Sequence, residues 1–125
     1  MPAKSKPKIL PAVFYRTAAG TEPVRGWLKA LSSDDKRIIG QDIATVEFGW
    51  PIGMPTCRSL ASRRGLWEVR SSLTGNRIAR VLFFIYNGHM VLLHSFIKKT
   101  QQTSDADLEL AVGRMKEFSR GKSAK

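Results

Sequence analysis

Three short apolar runs in the second half of the chain are separated by polar turns. β-branched and aromatic residues are frequent in the runs 66–70, 77–86 and 91–99. The separating segments, 73–76 and 87–88, contain the Gly and Asn residues that tight turns require. The pattern predicts three adjacent antiparallel strands.

Successive side chains along a strand point to opposite faces of a sheet. This alternation predicts a core-facing set that consists of Trp67, Val69, Val81, Phe83 and Ile85. The opposite set consists of Glu68, Arg70, Arg80 and Tyr86. A buried guanidinium without a partner costs several kcal/mol, so we expect this second face to be open to water or to an anion.

A further strand and a helical hairpin are predicted before these runs. Residues 12–17 have the composition of a strand, and residues 21–31 combine a helix-start signal with an apolar stripe. The polar residues 32–35 then break this helix and cap a second amphipathic helix, which runs to Gly49. The short linker between the two helices predicts an antiparallel hairpin that lies on the sheet.

A last helix is predicted after the third run. Ser104 provides an N-cap, and the apolar stripe that follows ends near Gly121. The predicted order is therefore β-α-α-β-β-β-α. This order predicts an α+β domain with a small antiparallel sheet, an N-terminal helical hairpin and a C-terminal helix.

The charge balance points to a polyanionic partner. The 125 residues include 21 Lys and Arg but 10 Asp and Glu, which gives a net charge of +11. This length suits one domain, which we place at 11–119. Proline and lysine before it predict a flexible basic arm over 1–10, and the polar residues 120–125 predict a flexible tail.

Several classes of chemistry have no support in the sequence. With one Cys and two His and no metal-ligand spacing, we expect neither a metal site nor an internal disulfide. Walker A, GxGxxG and nucleophile-elbow motifs are absent, so we expect no small-molecule cofactor. No apolar run is long enough to span a membrane and no secretory signal is visible, so we expect a cytoplasmic protein without membrane contact.

The chemistry that the sequence still supports is the binding of a phosphate group, and stabilisation of its charge, by Arg and Lys side chains. Guanidinium is planar and stays protonated, so Arg70 and Arg80 could hold a phosphodiester, with Lys98 and Lys99 nearby. The ribose 2′-hydroxyl is an internal nucleophile, and a protein that orients it can cleave RNA without a metal. Further candidate RNA contacts are Arg58, Arg63, Arg64 and Arg77.

Each candidate also has a structural interpretation. Arg70 and Arg80 could be edge cations that prevent aggregation, and Glu68 could simply pair with an arginine. The loop arginines could be solvated. His94 and Tyr86 are possible general acids or bases, but His94 lies among apolar residues and Tyr86 could simply close its strand.

Specific segments resemble a known family. They are LWEVR at 66–70, RVLF at 80–83 and LLHSFIKKTQQT at 92–103, followed by a helix with Ala111. They are similar to the phage-derived HigB-like branch of the RelE/ParE toxins. The resemblance implies a type II toxin whose partner is a helix-turn-helix, HigA-like antitoxin. It also implies cleavage of mRNA in the ribosomal A site.

The resemblance further implies residue roles. Arg80 and Lys99 would stabilise phosphate charge, Arg70 would orient the RNA, and Lys98 would contribute binding or proton transfer. Glu68 stands where the best-studied RelE toxins carry a lysine. The tyrosine that some relatives place in the last helix has no counterpart here, so the identity of the general base stays open.

Two other functions remain open at this point. A ParE-type toxin would inhibit DNA gyrase without catalysis, and a basic nucleic-acid-binding module would bind RNA without cutting it. The Lys98 and Lys99 pair after the last strand favours RNA cleavage, because ParE relatives generally lack it. From the sequence we expect Arg80→Ala to abolish toxicity and to leave the fold intact.

Overall fold

The structure, a computed structural model, describes residues 7–99 and 102–123. In these residues the chain forms five strands and three helices. In chain order they are β1 (Ala12–Phe14), α1 (Pro23–Lys29), α2 (Ser33–Gly49), β2 (Cys57–Ser59), β3 (Trp67–Leu73), β4 (Arg77–Tyr86), β5 (His89–Lys98) and α3 (Asp105–Ser123). The predicted α+β class is confirmed.

The strands form one sheet in the order β1-β5-β4-β3-β2. Strands β3, β4 and β5 pair antiparallel, as the three apolar runs predicted. The turns between them use positive φ angles at Gly75 and Asn76 and again at Asn87 and Gly88. Gly and Asn adopt this conformation at low cost, so these two pairs make the tight reversals possible.

The sheet differs from the prediction at its two edges. Strand β1 pairs with β5 in parallel, so the sheet is mixed rather than antiparallel. Strand β2, which the sequence did not predict, pairs antiparallel with β3. Neither feature has a sequence signal: alternation does not encode strand direction, and three residues with a central arginine are too short to show a period.

Both faces of the sheet are covered. On one face, α1 and α2 pack over Val69, Val81 and Phe83. On the other face, α3 packs over Leu82 and Phe84. The expectation that the second face is open is therefore wrong, because α3 buries its apolar stripe there. Hereafter these are the hairpin face and the α3 face.

A β-bulge changes which side chains of β5 share a face. Leu82 lies opposite His94, but Phe83 lies opposite Leu92, so Leu93 is an extra residue in β5. Leu92 joins the core of the hairpin face, and Leu93 joins the core of the α3 face. His94 then also lies on the α3 face. Bulges of this kind redirect side chains and are frequent beside functional sites.

The packed chain begins before the predicted boundary at residue 11. Leu10 is buried, and the amides of Ile9 and Leu10 donate hydrogen bonds to the Glu47 carbonyl oxygen. Residues 1–6 of the predicted arm and 124–125 of the predicted tail lie outside the described residues. Among the three helices of the described chain, none has the length and apolarity needed to cross a membrane.

Two residues on β4 test how far the hairpin-face core extends. Phe83 is completely buried between the sheet and the helices, but Ile85, which the alternation predicts to be in the core, is 37% exposed. We expect Phe83→Ala to lower the free energy of unfolding by about 3–5 kcal/mol. Ile85→Ala should lower it by less than about 1 kcal/mol. Urea denaturation of both variants measures the difference, and equal losses would contradict the boundary described here.

Candidate nucleic-acid interface

Three rows of residues cross the α3 face of the sheet. Within a row, the residues lie opposite one another on neighbouring strands, so their side chains point to the same face. The rows are Arg58, Glu68, Leu82 and His94; then Arg70, Arg80 and Phe96; then Ser72, Ile78 and Lys98. The topology therefore brings five basic or titratable candidates from four strands onto one surface.

The carboxylate of Glu68 lies at the centre of this surface. Its Oε2 atom lies 3.0 Å from Arg58 Nε, 3.0 Å from Arg80 Nη1 and 3.7 Å from Arg70 Nε. Its Oε1 atom accepts a hydrogen bond of 2.9 Å from the Thr103 hydroxyl. We call Glu68 and these three arginines the Glu68 cluster.

Positive charge exceeds negative charge in the Glu68 cluster. Three guanidinium groups face one carboxylate, so the cluster carries a net positive charge. Burial lowers the pKa of Arg70, and the neighbouring Arg80 lowers it further, although Glu68 opposes both effects. All three guanidinium groups lie within 3.7 Å of Glu68 Oε2, so they are close enough to repel one another. An additional anion would relieve this repulsion. The cluster therefore has the electrostatics of an anion-binding site.

The cluster is more deeply buried than the sequence suggested. Glu68 and Arg80 are both 0% exposed. The expectation that these side chains meet water is wrong, because each desolvated charge has an oppositely charged partner that offsets the cost of burial. Arg58 is the most accessible of the three arginines, with 36% of its side chain exposed.

A cleft lies beside Arg58, between β2 with its following loop and the start of α3. Its volume is about 440 Å³, and its lining includes Arg58, Leu60, Gln102 and Thr103. Thr103 thus contacts the cleft and also donates to Glu68. A ligand in this cleft would contact Arg58, and the charges of the more deeply buried Arg70 and Arg80 would contribute to the electrostatic potential at the ligand.

A second polar group joins β5 to the first turn of α3. Asp107 Oδ1 lies 2.7 Å from His94 Nε2, and Asp107 Oδ2 accepts hydrogen bonds of 2.7 Å from Lys98 Nζ and of 2.7 Å from Ser104 Oγ. Burial alone would raise the pKa of the Asp107 carboxyl. The hydrogen bonds from Lys98, His94 and Ser104 outweigh burial and lower this pKa to about 2. We call these four residues the Asp107 cluster.

Other predicted site residues lie elsewhere. Arg77 forms two hydrogen bonds with the carboxylate of Asp35 in α2, on the hairpin face. Tyr86 packs against Phe84 and Phe118 near the far end of β4, six residues from Arg80. Six residues of strand span about 20 Å, so the structure does not bring these two side chains to the Glu68 cluster.

The remaining predicted basic residues differ in their contacts. Arg63 forms ion pairs with Glu109 and Asp105 of α3, so it fastens the β2–β3 loop to this helix. Arg64 and Lys99 are both exposed. Lys98 also lies 4.8 Å from the centre of the Phe96 ring, which restricts its ammonium group to this surface.

Sequence reasoning did not assign Asp107 or Thr103 to a site. In the sequence, Asp107 is an acidic residue in the first turn of a helix, and its spacing from Ser104 is an ordinary capping signal. The position of α3 on the sheet makes both residues part of the site. No sequence signal shows that position.

Two further observations limit the chemistry that the protein can do. Burial, together with the nearby Glu68, raises the pKa of the Cys57 thiol to about 11, so this thiol is not a nucleophile at neutral pH. Among the residues that the structure describes, no group of three or more His, Cys, Asp and Glu side chains could hold a metal ion. The groups that remain for chemistry are arginine, lysine, histidine and carboxylate.

Comparison with known protein families identifies the family of this chain. A family model described as "Phage derived protein Gp49-like (DUF891)" matches residues 26–116, which is more than half of the chain. The chain therefore belongs to the Gp49-like family of phage-derived proteins. This is a RelE-like toxin family of toxin–antitoxin systems, which makes the protein toxin-like and implies an antitoxin partner. A comparison with curated proteins gave no match.

Burial changes the expected effect of removing Arg80. Arg80→Ala removes a fully buried charged partner of Glu68, but Arg58 and Thr103 still contact this carboxylate, so we expect a loss of about 1–3 kcal/mol in the free energy of unfolding. We therefore expect Arg80→Ala to be destabilised, whereas the sequence suggested that its fold would stay intact. Arg37→Ala is the control, because its ion pair with Asp34 is long and exposed. Urea denaturation that gave equal stabilities for the two variants would contradict this account.

The Asp107 cluster predicts a dependence of stability on acid pH. The pKa of Asp107 is lower in the folded protein than its ordinary value of 3.8, so its contribution to stability is present above about pH 4. That contribution is lost as pH falls towards 2. We expect it to be of the order of 1 kcal/mol after solvent screening. Denaturation between pH 2 and 6 should show a smaller pH dependence for Asp107→Asn than for the control Asp34→Asn, whose carboxyl group is exposed.

Proposed function

We propose that the protein is the toxin of a type II toxin–antitoxin system and cleaves mRNA on the ribosome. We place it in the HigB-like branch of the RelE/ParE toxins. The observation that carries this proposal is the Glu68 cluster, in which three guanidinium groups share one carboxylate. The partners are mRNA in the ribosomal A site and a helix-turn-helix, HigA-like antitoxin.

The charge of the Glu68 cluster supports an RNA phosphate as ligand. A phosphodiester carries one negative charge and accepts bidentate hydrogen bonds from guanidinium. Arg58 borders the open cleft and is placed to make the first contact with this phosphate. Arg80 is fully buried, so in this conformation it stabilises a phosphate at Arg58 by its charge rather than by contact. The side chain of Arg70 is less exposed than that of Arg58 and more exposed than that of Arg80. In this proposal Arg70 orients the RNA.

The proposed reaction needs no metal. The 2′-oxygen bonds to phosphorus as the 2′-hydroxyl proton passes to a base, and the bond from phosphorus to the 5′-oxygen breaks. The leaving 5′-oxygen takes a proton, so the products end in a 2′,3′-cyclic phosphate and a 5′-hydroxyl. Arginine and lysine stabilise the charge that develops on the phosphate oxygens.

His94 is our candidate for the base, and Lys98 for the proton donor. Of the two possible acid or base residues from the sequence, His94 lies on the α3 face diagonally next to Arg80, whereas Tyr86 lies about 20 Å from Arg80 along β4. His94 is three strands, or about 14 Å, from Arg58, so the phosphate that is cleaved beside His94 is a different one from the phosphate that Arg58 contacts. Lys98 lies at the end of the same strand as His94 and shares its carboxylate partner. Lys99 is exposed beside it and adds charge for the phosphate.

Single-charge variants test this proposal in bacteria. We would induce the wild type, Arg58→Gln and Lys99→Gln and map new mRNA 5′ ends soon afterwards. We expect codon-phased cuts from the wild type and about 10- to 100-fold fewer cuts from each variant, because each loses a charged contact to phosphate. Lys36→Gln removes the same charge from the exposed surface of α2 and should cut like the wild type.

Other outcomes would contradict parts of the proposal. Growth arrest without new 5′ ends would exclude RNA cleavage and would direct the next assay to DNA gyrase. Normal growth in the presence of soluble wild-type protein would exclude both toxin mechanisms. Equal cutting by all the variants would leave the Glu68 cluster and Lys99 without a role in the reaction.

A further inference from the structure

The carboxylate of Asp107 contacts both groups to which we assign proton transfer. One oxygen lies 2.7 Å from His94 Nε2, and the other accepts a hydrogen bond of 2.7 Å from Lys98 Nζ. Helix capping does not account for these contacts. The capping hydrogen bond is a different one, in which the backbone amide of Asp107 donates to the Ser104 hydroxyl at 3.1 Å. The Asp107 carboxylate instead contacts side chains of another element, β5.

The charge of Asp107 determines where the proton on His94 resides. The pKa of about 2 keeps the Asp107 carboxyl ionised at neutral pH, so its oxygens only accept hydrogen bonds. The His94 Nε2 atom must therefore carry the hydrogen in the 2.7 Å contact. When the ring is neutral, its lone pair is then on Nδ1. A carboxylate that binds one ring nitrogen sets the tautomer in this way in many histidine sites.

We propose that Asp107 is a positioning residue, which holds His94 as its Nε2–H tautomer with Lys98 beside it and leaves His94 Nδ1 to take the 2′-hydroxyl proton. This inference rests on the proposed RNA cleavage and names the atom that exchanges the proton. Lys98 Nζ gives a proton to the leaving 5′-oxygen. Afterwards His94 releases its proton to water, and Lys98 regains one.

The bulge in β5 is what makes this arrangement possible. Without the bulge, with Leu93 paired regularly, His94 would share the face of Leu92, two residues before it, which packs under the helical hairpin. With it, His94 lies opposite Leu82 and faces α3. Asp107 then tethers the ring from above, while the phenyl ring of Phe96, 5.4 Å away, limits its movement along the strand.

The test compares three variants on ribosomes that carry mRNA in the A site. Asp107→Asn keeps the volume of the side chain but removes the charge that requires a hydrogen on Nε2. Ser104→Ala removes a contact to the same carboxylate and weakens the same helix start, but keeps the charge. Asp34→Asn removes an exposed carboxylate from the first turn of α2. Saturating and limiting concentrations separate kcat from KM.

We expect Asp107→Asn to lower kcat by about 10- to 100-fold and to change KM by less than about twofold. Asp34→Asn should keep the rate near that of the wild type, and Ser104→Ala, which keeps the charge of Asp107, should lose much less activity than Asp107→Asn. Ring ¹⁵N chemical shifts provide a second readout, and the chain has only two histidines, His89 and His94. In the wild type the neutral His94 ring should show the Nε2–H tautomer, and Asp107→Asn should shift it towards a mixture. Unchanged His89 shifts confirm that the variant is folded.

Three results would overturn the inference while RNA cleavage stands. Asp107→Asn could cut at the wild-type rate, or Ser104→Ala could lose as much activity as Asp107→Asn, which would reduce the carboxylate to a structural role. Asp107→Asn could also bind RNA more tightly and cut faster, which would make the carboxylate a competitor of the phosphate. Absence of cutting by the wild type overturns the proposed function itself, and the inference with it.

Discussion

The buried carboxylate of Glu68 is the group on which the rest of the α3 face depends. It pairs with arginines from β2, β3 and β4 and accepts a hydrogen bond from Thr103, just before α3. Without this carboxylate, three like charges would lie together in a desolvated region. With it, an edge strand of three residues and the segment that leads into the last helix are both fastened to the sheet. The net positive charge of the cluster still attracts an anion.

The Glu68 cluster and the Asp107 cluster on the α3 face contain different chemical groups. The first supplies fixed positive charge beside an open cleft, and the second holds the groups to which we assign proton transfer. Leu82 lies between Glu68 and His94 in the same row, so an apolar side chain separates the two clusters. Each carboxylate therefore organises its own cations. Because α3 contributes Asp107 to one cluster, and Thr103 just before α3 contacts Glu68 in the other, docking of this helix couples folding to assembly of the site.

Several features of the fold and the site follow from local sequence patterns. Asn87 and Gly88, like Gly75 and Asn76, identify the reversals of the three main strands, because few other residues adopt positive φ at low cost. Alternation along the strands also assigns Glu68, Arg70 and Arg80 correctly to one face. Burial was not predictable, because it depends on what covers that face. Arg77 shows the same limit, since its partner Asp35 is 42 residues away.

The sequence by itself determined the class of fold, the three central strands, the positive charge and the residue types that suit a phosphate. These follow from local propensity and from periods of two and 3.6 residues, which neighbouring residues encode. The tertiary structure alone decided that Arg80 is buried against Glu68, that the bulge turns His94 towards α3, and that Asp107 meets both His94 and Lys98. Such contacts depend on how separate elements pack, and packing is a property of the whole chain rather than of any segment.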